Sequence, residues 1–358
     1  MPSLSGELDG QTRLKDILPS GIDLDQDLGW TGQPGDNYFD LKERIVATQG
    51  YEVSQNNVML TAGANHANFL AIATLVQPGD EVIVPRPSWP QFYYVAEGVG
   101  AKVKTLDLRW ELGWRWNMDE LNGAVTEKTK LICICNPNNP TGTKLHEKEI
   151  KAVSDIARTA GAKVLVDESF RWFEWDKELT STWIKHYDQA IVTTSVSKMI
   201  SGDGLRIGWM VSRNKELISA CEPLRYYSME HTNVLGTIVV WAALEPDKLR
   251  AILKQKWEDG WARRQLVEKW MKNNNHFEWV PPEAGFLSFP RYDLPFLSED
   301  LCRLLLERYQ VVLAPGIAYD KEYHLRMGFG RVPIDLVKKG LVRLTKFLQD
   351  YDDGKTSL

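Results

Sequence analysis

The chain has 358 residues, long enough to bury a sizeable core as one large or two moderate domains. Charged residues make up 25% and the net charge is −5, a balance that points away from nucleic acid or an anionic membrane as main partner and toward small-molecule chemistry. Four scattered cysteines are too few for a disulfide framework, and no apolar run approaches the roughly 18–20 residues that span a bilayer, so a cytoplasmic protein is expected.

Residues 1–40 are rich in Gly, Asp and Pro, carry weak periodicity and read as an extended arm. Within them Asp23-Leu24-Asp25-Gln26-Asp27 has the spacing of a calcium loop, but Leu28 stands where glycine is needed and Pro34 where the closing glutamate is needed. That segment is expected to be a solvated loop or to face a cationic substrate side chain, and no metal site is expected. From Tyr38 to Thr48 the pattern becomes helical, with Leu41, Ile45 and Val46 on one side. Strands and helices then alternate. Val58 to Leu60, Glu81 to Val84, Ala101 to Leu106, Lys130 to Cys135, Lys163 to Val166, Ala190 to Thr194 and Ile207 to Val211 read as strands, and Asn65 to Leu75 and Glu147 to Ala160 as helices. Trp110, Trp114 and Trp116 fall in an expected hairpin. Such alternation predicts an α/β fold, a mostly parallel sheet with helices on both faces.

Further on come a long helix from about Val234 to Asn273, short strands at Phe277 to Val280, Gly285 to Phe289, Val311 to Leu313 and His324 to Gly328, and helices from Glu299 to Tyr309 and Asp335 to Asp350. The expected division is an arm at 1–40, a large domain at 41–233, and a linking helix with a smaller α+β domain at 234–358.

Ligands of such sheets bind at the carboxyl ends of the strands, and Gly63, Asn139, Asp167 and Lys198 all fall just past predicted strands. Lys198 lies in Thr193-Thr194-Ser195-Val196-Ser197-Lys198, and Arg206 follows eight residues later. A lysine that captures an aldehyde must be a free amine, which desolvation and a neighbouring cation favour. Pyridoxal phosphate requires an amine, a carboxylate on its pyridine nitrogen, a donor to its phenolic oxygen, a phosphate cradle and a flat apolar lid. Lys198 is the candidate amine. Asp167, ending an apolar strand, is the carboxylate. Asn139, in the rigid turn Asn136-Pro137-Asn138-Asn139-Pro140-Thr141-Gly142, is the phenolic-oxygen donor. Gly63, Ala64 and Asn65 let backbone N–H groups approach a phosphate, with Ser195, Ser197 and the Arg206 fork beside them. Trp89, after Pro85-Arg86-Pro87-Ser88, is the candidate lid only by its place in the order of these motifs.

In order and spacing these motifs resemble the class I and II aminotransferases, the fold type I pyridoxal-phosphate enzymes, from about residue 36 to 350. The resemblance implies a seven-stranded cofactor-binding domain, a homodimer, and transfer of an amino group from an L-amino acid to a 2-oxo acid. It further implies that Lys198 holds the cofactor as a Schiff base and shuttles the substrate's α-proton, and that Arg326 in Leu325-Arg326-Met327-Gly328 clamps the substrate α-carboxylate. In relatives the segment matching His231 to Leu235 lends a phosphate contact across the dimer. Two positions depart from the pattern. Phe170 stands where the family has a tyrosine that helps hold the phenolic oxygen. Trp30, in Trp30-Thr31-Gly32-Gln33-Pro34-Gly35, stands where a Tyr-Pro motif is usual, and is a candidate substrate contact. Within the family, Trp279 to Gly285, Ala314-Pro315-Gly316 and Leu325 to Gly330 are most similar to capreomycidine synthase-like members, which act on arginine derivatives. A cyclase, lyase or decarboxylase on the same cofactor is therefore the alternative reaction, and a non-catalytic cofactor-binding regulator a further one.

Overall fold

The computed structural model describes residues 14–18, 41–330 and 332–355. Of the expected arm only helix α1 (Leu14–Ile17) and Leu18 fall among them; the acidic loop at Asp23, Trp30 and the predicted helix start at Tyr38 lie outside.

Seven strands, β1 (Val58–Thr61), β2 (Glu81–Arg86), β3 (Lys102–Asp107), β4 (Thr129–Cys135), β5 (Lys163–Asp167), β6 (Ala190–Ser195) and β7 (Gly208–Val211), form one sheet in the order β1-β7-β6-β5-β4-β2-β3. All pairings are parallel except those of β7, which runs antiparallel to both β1 and β6. The mostly parallel seven-stranded sheet is therefore present. Strands buried on both faces read as continuous apolar runs, and their alternation divides them between two cores. Leu131, Cys133, Leu165 and Ile191 pack with helices α3 (Ala64–Leu75), α4 (Gln91–Gly98) and α8 (Lys215–Met229). Ile132, Ile134, Val164, Val166 and Val192 pack on the other side with α2 (Leu41–Gln49), α5 (Met118–Ala124), α6 (Glu147–Ala160) and α9 (Val234–Ala243). The remaining helix within the sheet region, α7 (Val196–Met199), is one turn long and carries Lys198.

Local chemistry sets the helix ends. Before α6, Glu149 Oε2 accepts the His146 N–H at 2.8 Å, and Gly161 closes the helix with φ +68°. One long helix over 234–273 is not what forms. The chain makes α9 and then α10 (Pro246–Lys272), because Pro246 has no N–H to continue α9 and Glu245 caps the new helix by accepting from Lys248 N at 2.8 Å. The tryptophan hairpin is also replaced. Trp110–Leu112 is a single tight turn, followed by left-handed Gly113 and Trp114, φ +65° and +62°. Two such residues in succession reverse the chain without pairing strands, and they bury the Trp114 indole 5.8 Å from Phe289 and 5.4 Å from His324.

A third core gathers β8 (Phe277–Glu278), β10 (Arg291–Tyr292), α11 (Ser298–Tyr309), β12 (Leu325–Gly328) and α12 (Ile334–Asp352) against α10, and β9 (Leu287–Ser288) and β11 (Ala314–Pro315) flank β12 in one small sheet. The strand expected at Val311 to Leu313 lies a few residues later, as β11, which pairs with β12.

Parallel strands bring their carboxyl ends to one edge. Because β7 is reversed, its first residue, Gly208, reaches that same edge, in register with both Thr61 and Ser195.

Candidate active site

Strand parity dictates where the carboxylate points. Asp167 ends β5 two residues after Leu165, so it faces α3, and the register lines up Cys135, Asp167 and Thr193 across three strands. Its Oδ2 accepts from Asn68 Nδ2 at 2.9 Å and its Oδ1 from Ser169 N at 2.9 Å. The Asn68 carbonyl oxygen in turn accepts the Thr193 hydroxyl at 2.6 Å. These bonds satisfy a carboxylate that is only 5% exposed. The next residue, Glu168, points to the opposite core. Burial pushes its carboxyl up to about 7, against Arg171 and the Trp183 N–H that donates to it at 2.8 Å.

The turn from β1 to α3 needs Gly63, whose φ is +88° and whose carbonyl accepts from His66 N and Ala67 N at 3.2 Å each, at the start of α3. Arg206, itself left-handed at φ +52°, lays its guanidinium across that turn and donates to Ala62 O at 3.0 Å and Asp203 O at 2.7 Å. At the neighbouring turn Ser195 Oγ accepts from Ser197 N at 3.4 Å. Gly208 lets the two turns meet: a Cβ there would lie 2.7 Å from Gly63 Cα and 2.7 Å from Thr194 O. Backbone N–H groups at a helix start, two hydroxyls and a guanidinium thus converge, which is the chemistry of a phosphate site.

Lys198 stands beside this cradle with Nζ 5.5 Å from the centre of the Phe170 ring. Phe170 is buried against left-handed Gly285, where a Cβ would come 3.0 Å from its ring. Trp89 donates its indole N–H to Gln91 Oε1 at 3.3 Å, and Gln91 Nε2 reaches Asn65 O at 2.6 Å. The Pro-rich turn is held from inside: Asn138 Nδ2 donates to Pro87 O at 3.0 Å and Asn136 Oδ1 accepts Leu145 N at 2.8 Å. Asn139 is thereby presented at the edge of the sheet, and Arg326 of β12 reaches its Oδ1 from Nη1 at 3.5 Å. Burial lowers the Arg326 guanidinium to about 10, so it stays charged at neutral pH, and its Cζ lies 5.5 Å from the Tyr319 ring centre.

One open cleft is lined by Ala64, Asn65, Trp89, Asn139, Asp167, Phe170, Ser195, Ser197, Lys198 and Arg206. Cys135, Ser169 and Asp203 line it as well. Gly63 lies beneath Arg206, and Arg326 adjoins the cleft through Asn139. Trp30 is outside the described residues. Sequence reasoning missed Asn68, Thr193, Gln91 and Gly208. Asn68 had left a signal, an amide among the apolar positions Ala67, Leu70, Ala71 and Ile72 of one helix.

Among the described residues no helix is long and apolar enough to cross a membrane. The sequence pattern of the family described as aminotransferase class I and II matches residues 8–344. An aspartate aminotransferase of Streptomyces avermitilis is 29% identical over 341 residues, 89% of this chain and 82% of that protein. Capreomycidine synthase of Streptomyces vinaceus is 27% identical over 299 residues, 83% of this chain and 76% of that protein. The crystal structure of a PLP-dependent aminotransferase from Streptococcus suis superposes with a TM-score of 0.89 at 27% identity, covering 98% of this chain and 93% of that one.

Proposed function

The chain belongs to the class I and II aminotransferases, pyridoxal-phosphate enzymes that act on amino and 2-oxo acids, and we propose that Lys198 is the amine that carries the cofactor here. The observation that carries this reading is the meeting of Lys198, Asp167 and Arg206, from the ends of separate strands, in one cleft. The donor set fits the cofactor. Arg206, Ser195, Ser197 and the N–H groups of Ala64 and Asn65, with Gly63 giving room, bind the phosphate. Asp167 would hold a proton on the ring nitrogen, Trp89 would serve as the lid, and Asn139 would donate to the phenolic oxygen. When bound, pyridoxal phosphate supplies an aldehyde for amine capture and a ring that withdraws the charge left at the substrate α-carbon.

The chain's own residues do the rest. Lys198 Nζ would hold and move the substrate α-proton, accepting it as base and giving it back as acid. Arg326 would grip the α-carboxylate by its planar fork and so orient the α-carbon; its contact with Asn139 would tie substrate orientation to the phenolic-oxygen donor. Residues 41–233 bind cofactor and 234–358 bring Arg326 to it. The reading includes a cytoplasmic location and a homodimer, the latter supported by Leu235, 57% exposed within the His231 to Leu235 segment, and Tyr227, 87% exposed shortly before it.

The substrate is an L-amino acid with a 2-oxo acid as acceptor. A second reading, ring closure or decarboxylation of an arginine-derived amino acid, draws on Phe170, which offers no hydroxyl beside Lys198, and on the capreomycidine synthase relative. An amino-acid panel with mass spectrometry of the products separates the two. The test of the anchor is borohydride reduction followed by peptide mapping: the pyridoxyl mass is expected on the peptide containing Lys198, and a label on any other lysine overturns the reading.

A further inference from the structure

The proton shared between Asp167 and a bound ring nitrogen can sit on either partner. Where it sits depends on how many donors the carboxylate already has, because each N–H given to a carboxylate stabilises its ionised form. Asp167 has two, and they differ in origin. Ser169 N belongs to the same loop and moves with Asp167, whereas Asn68 Nδ2 comes from α3, which packs on the sheet independently of that loop.

Asn68 is fully buried and cannot turn to water. Its orientation is fixed by chemistry as well as space. The Thr193 hydroxyl is 2.6 Å from Asn68 Oδ1, and a flipped amide would set its carbonyl against the Asp167 carboxylate. Thr193 sits directly opposite Asp167 in the register of β5 and β6, so one pair of strands places both the carboxylate and the hydroxyl that aims its donor. The same Asn68 Nδ2 lies 3.3 Å from Gln91 Oε1, the atom that also accepts the Trp89 indole N–H. A single buried amide therefore touches the carboxylate and, through Gln91, the candidate lid.

Resting on the reading that Asp167 faces the ring nitrogen, we propose that Asn68, oriented by Thr193, is a positioning residue that keeps the shared proton on the ring. Asn68 works through Asp167 and touches no reacting atom. A polarised chain of Thr193 O–H to Asn68 and Asn68 N–H to Asp167 strengthens each bond in it, so weakening the first weakens the second.

The test uses the full-length enzyme loaded with pyridoxal phosphate carrying ¹⁵N in the ring, read by nitrogen NMR. The wild-type ring nitrogen is expected at the protonated position, and Asp167→Ala is expected to move it to the unprotonated one. No difference between those two proteins would defeat the reading of Asp167 and, with it, the role of Asn68. Given that difference, Asn68→Leu is expected to move the resonance toward the unprotonated position. Thr193→Val, which leaves Asn68 in place and barely changes volume, is expected to move it the same way by a smaller amount. Wild-type shifts in every Asn68 and Thr193 variant that folds would overturn the proposal. A merely structural role for Asn68 would lower stability and leave the ring nitrogen where it is.

Discussion

The guanidinium of Arg206 occupies the space in which a side chain at Gly63 would have to sit: a Cβ built on Gly63 would lie 2.5 Å from Arg206 Nη2. Position 63 must be bare for the arginine to cross the start of α3, and Gly208 must be bare for the turn to reach its strand.

Gly208→Ala is the sharper perturbation, because the new methyl meets backbone atoms that cannot rotate away. Cofactor affinity is expected to fall at least about tenfold, roughly 1.4 kcal/mol. Affinity for pyridoxal without phosphate is expected to change much less. Spectroscopic titration of the refolded apoenzyme with both compounds measures the ratio, and an equal loss for the two would separate Gly208 from the phosphate cradle.

Asp167→Asn keeps the shape and the bond to Ser169 N but removes the negative charge. Cofactor should remain bound while turnover falls by at least about 100-fold, the scale of losing one preorganised electrostatic contact. Steady-state kinetics on a folded, loaded variant decide this; near-normal turnover contradicts the assignment.

Arg326→Lys retains charge and loses the planar fork. The substrate KM is expected to rise on the order of tenfold or more, with the absorption spectrum of the loaded enzyme unchanged. A collapsed spectrum would instead place Arg326 with the cofactor or the fold.

His276 lies between Asp293 at 2.8 Å and Asp352 at 2.9 Å, joining the loop after β10 to the end of α12. Burial opposes its charge, but the two carboxylate hydrogen bonds outweigh burial and raise its pKa. The resulting stability is fully present below the unfolded histidine value of about 6.5 and is lost as pH climbs through the raised folded value. Melting curves of wild type and His276→Gln should therefore differ most near pH 5.5 and converge toward pH 8.5. A gap that widens with pH would reverse the sign argued here.

Elements with strong periodicity were legible from the chain alone. α6 runs from Glu147 to Ala160 because its apolar stripe, its Glu149 cap and Gly161 all agree. The strand-ending candidates share a cleft because parallel strands bring their carboxyl ends to one edge. What escaped was non-local. The bond from Asn68 to Asp167 joins residues 99 apart, and only the parity of a strand not yet placed could predict it. α8 carries Pro223 within it and weak patterning, and it escaped for that reason. At Glu245-Pro246 the stop signal was present, but the apolar pattern continued on both sides and masked it.

The reversal of β7 has a consequence for how this chain tolerates change in length. Between Ser195 and Gly208 the backbone leaves the sheet and returns to the adjacent position at the same edge, so both ends of that stretch are pinned in register. Lys198 and Arg206 lie on it, and adding or deleting one residue would rotate one of them out of the cleft while leaving the sheet intact. Length variants should therefore separate folding from function here: an inserted glycine after Gly204, which is exposed and has open space around it, would give a chain that still folds but has lost the spacing between its amine and its guanidinium.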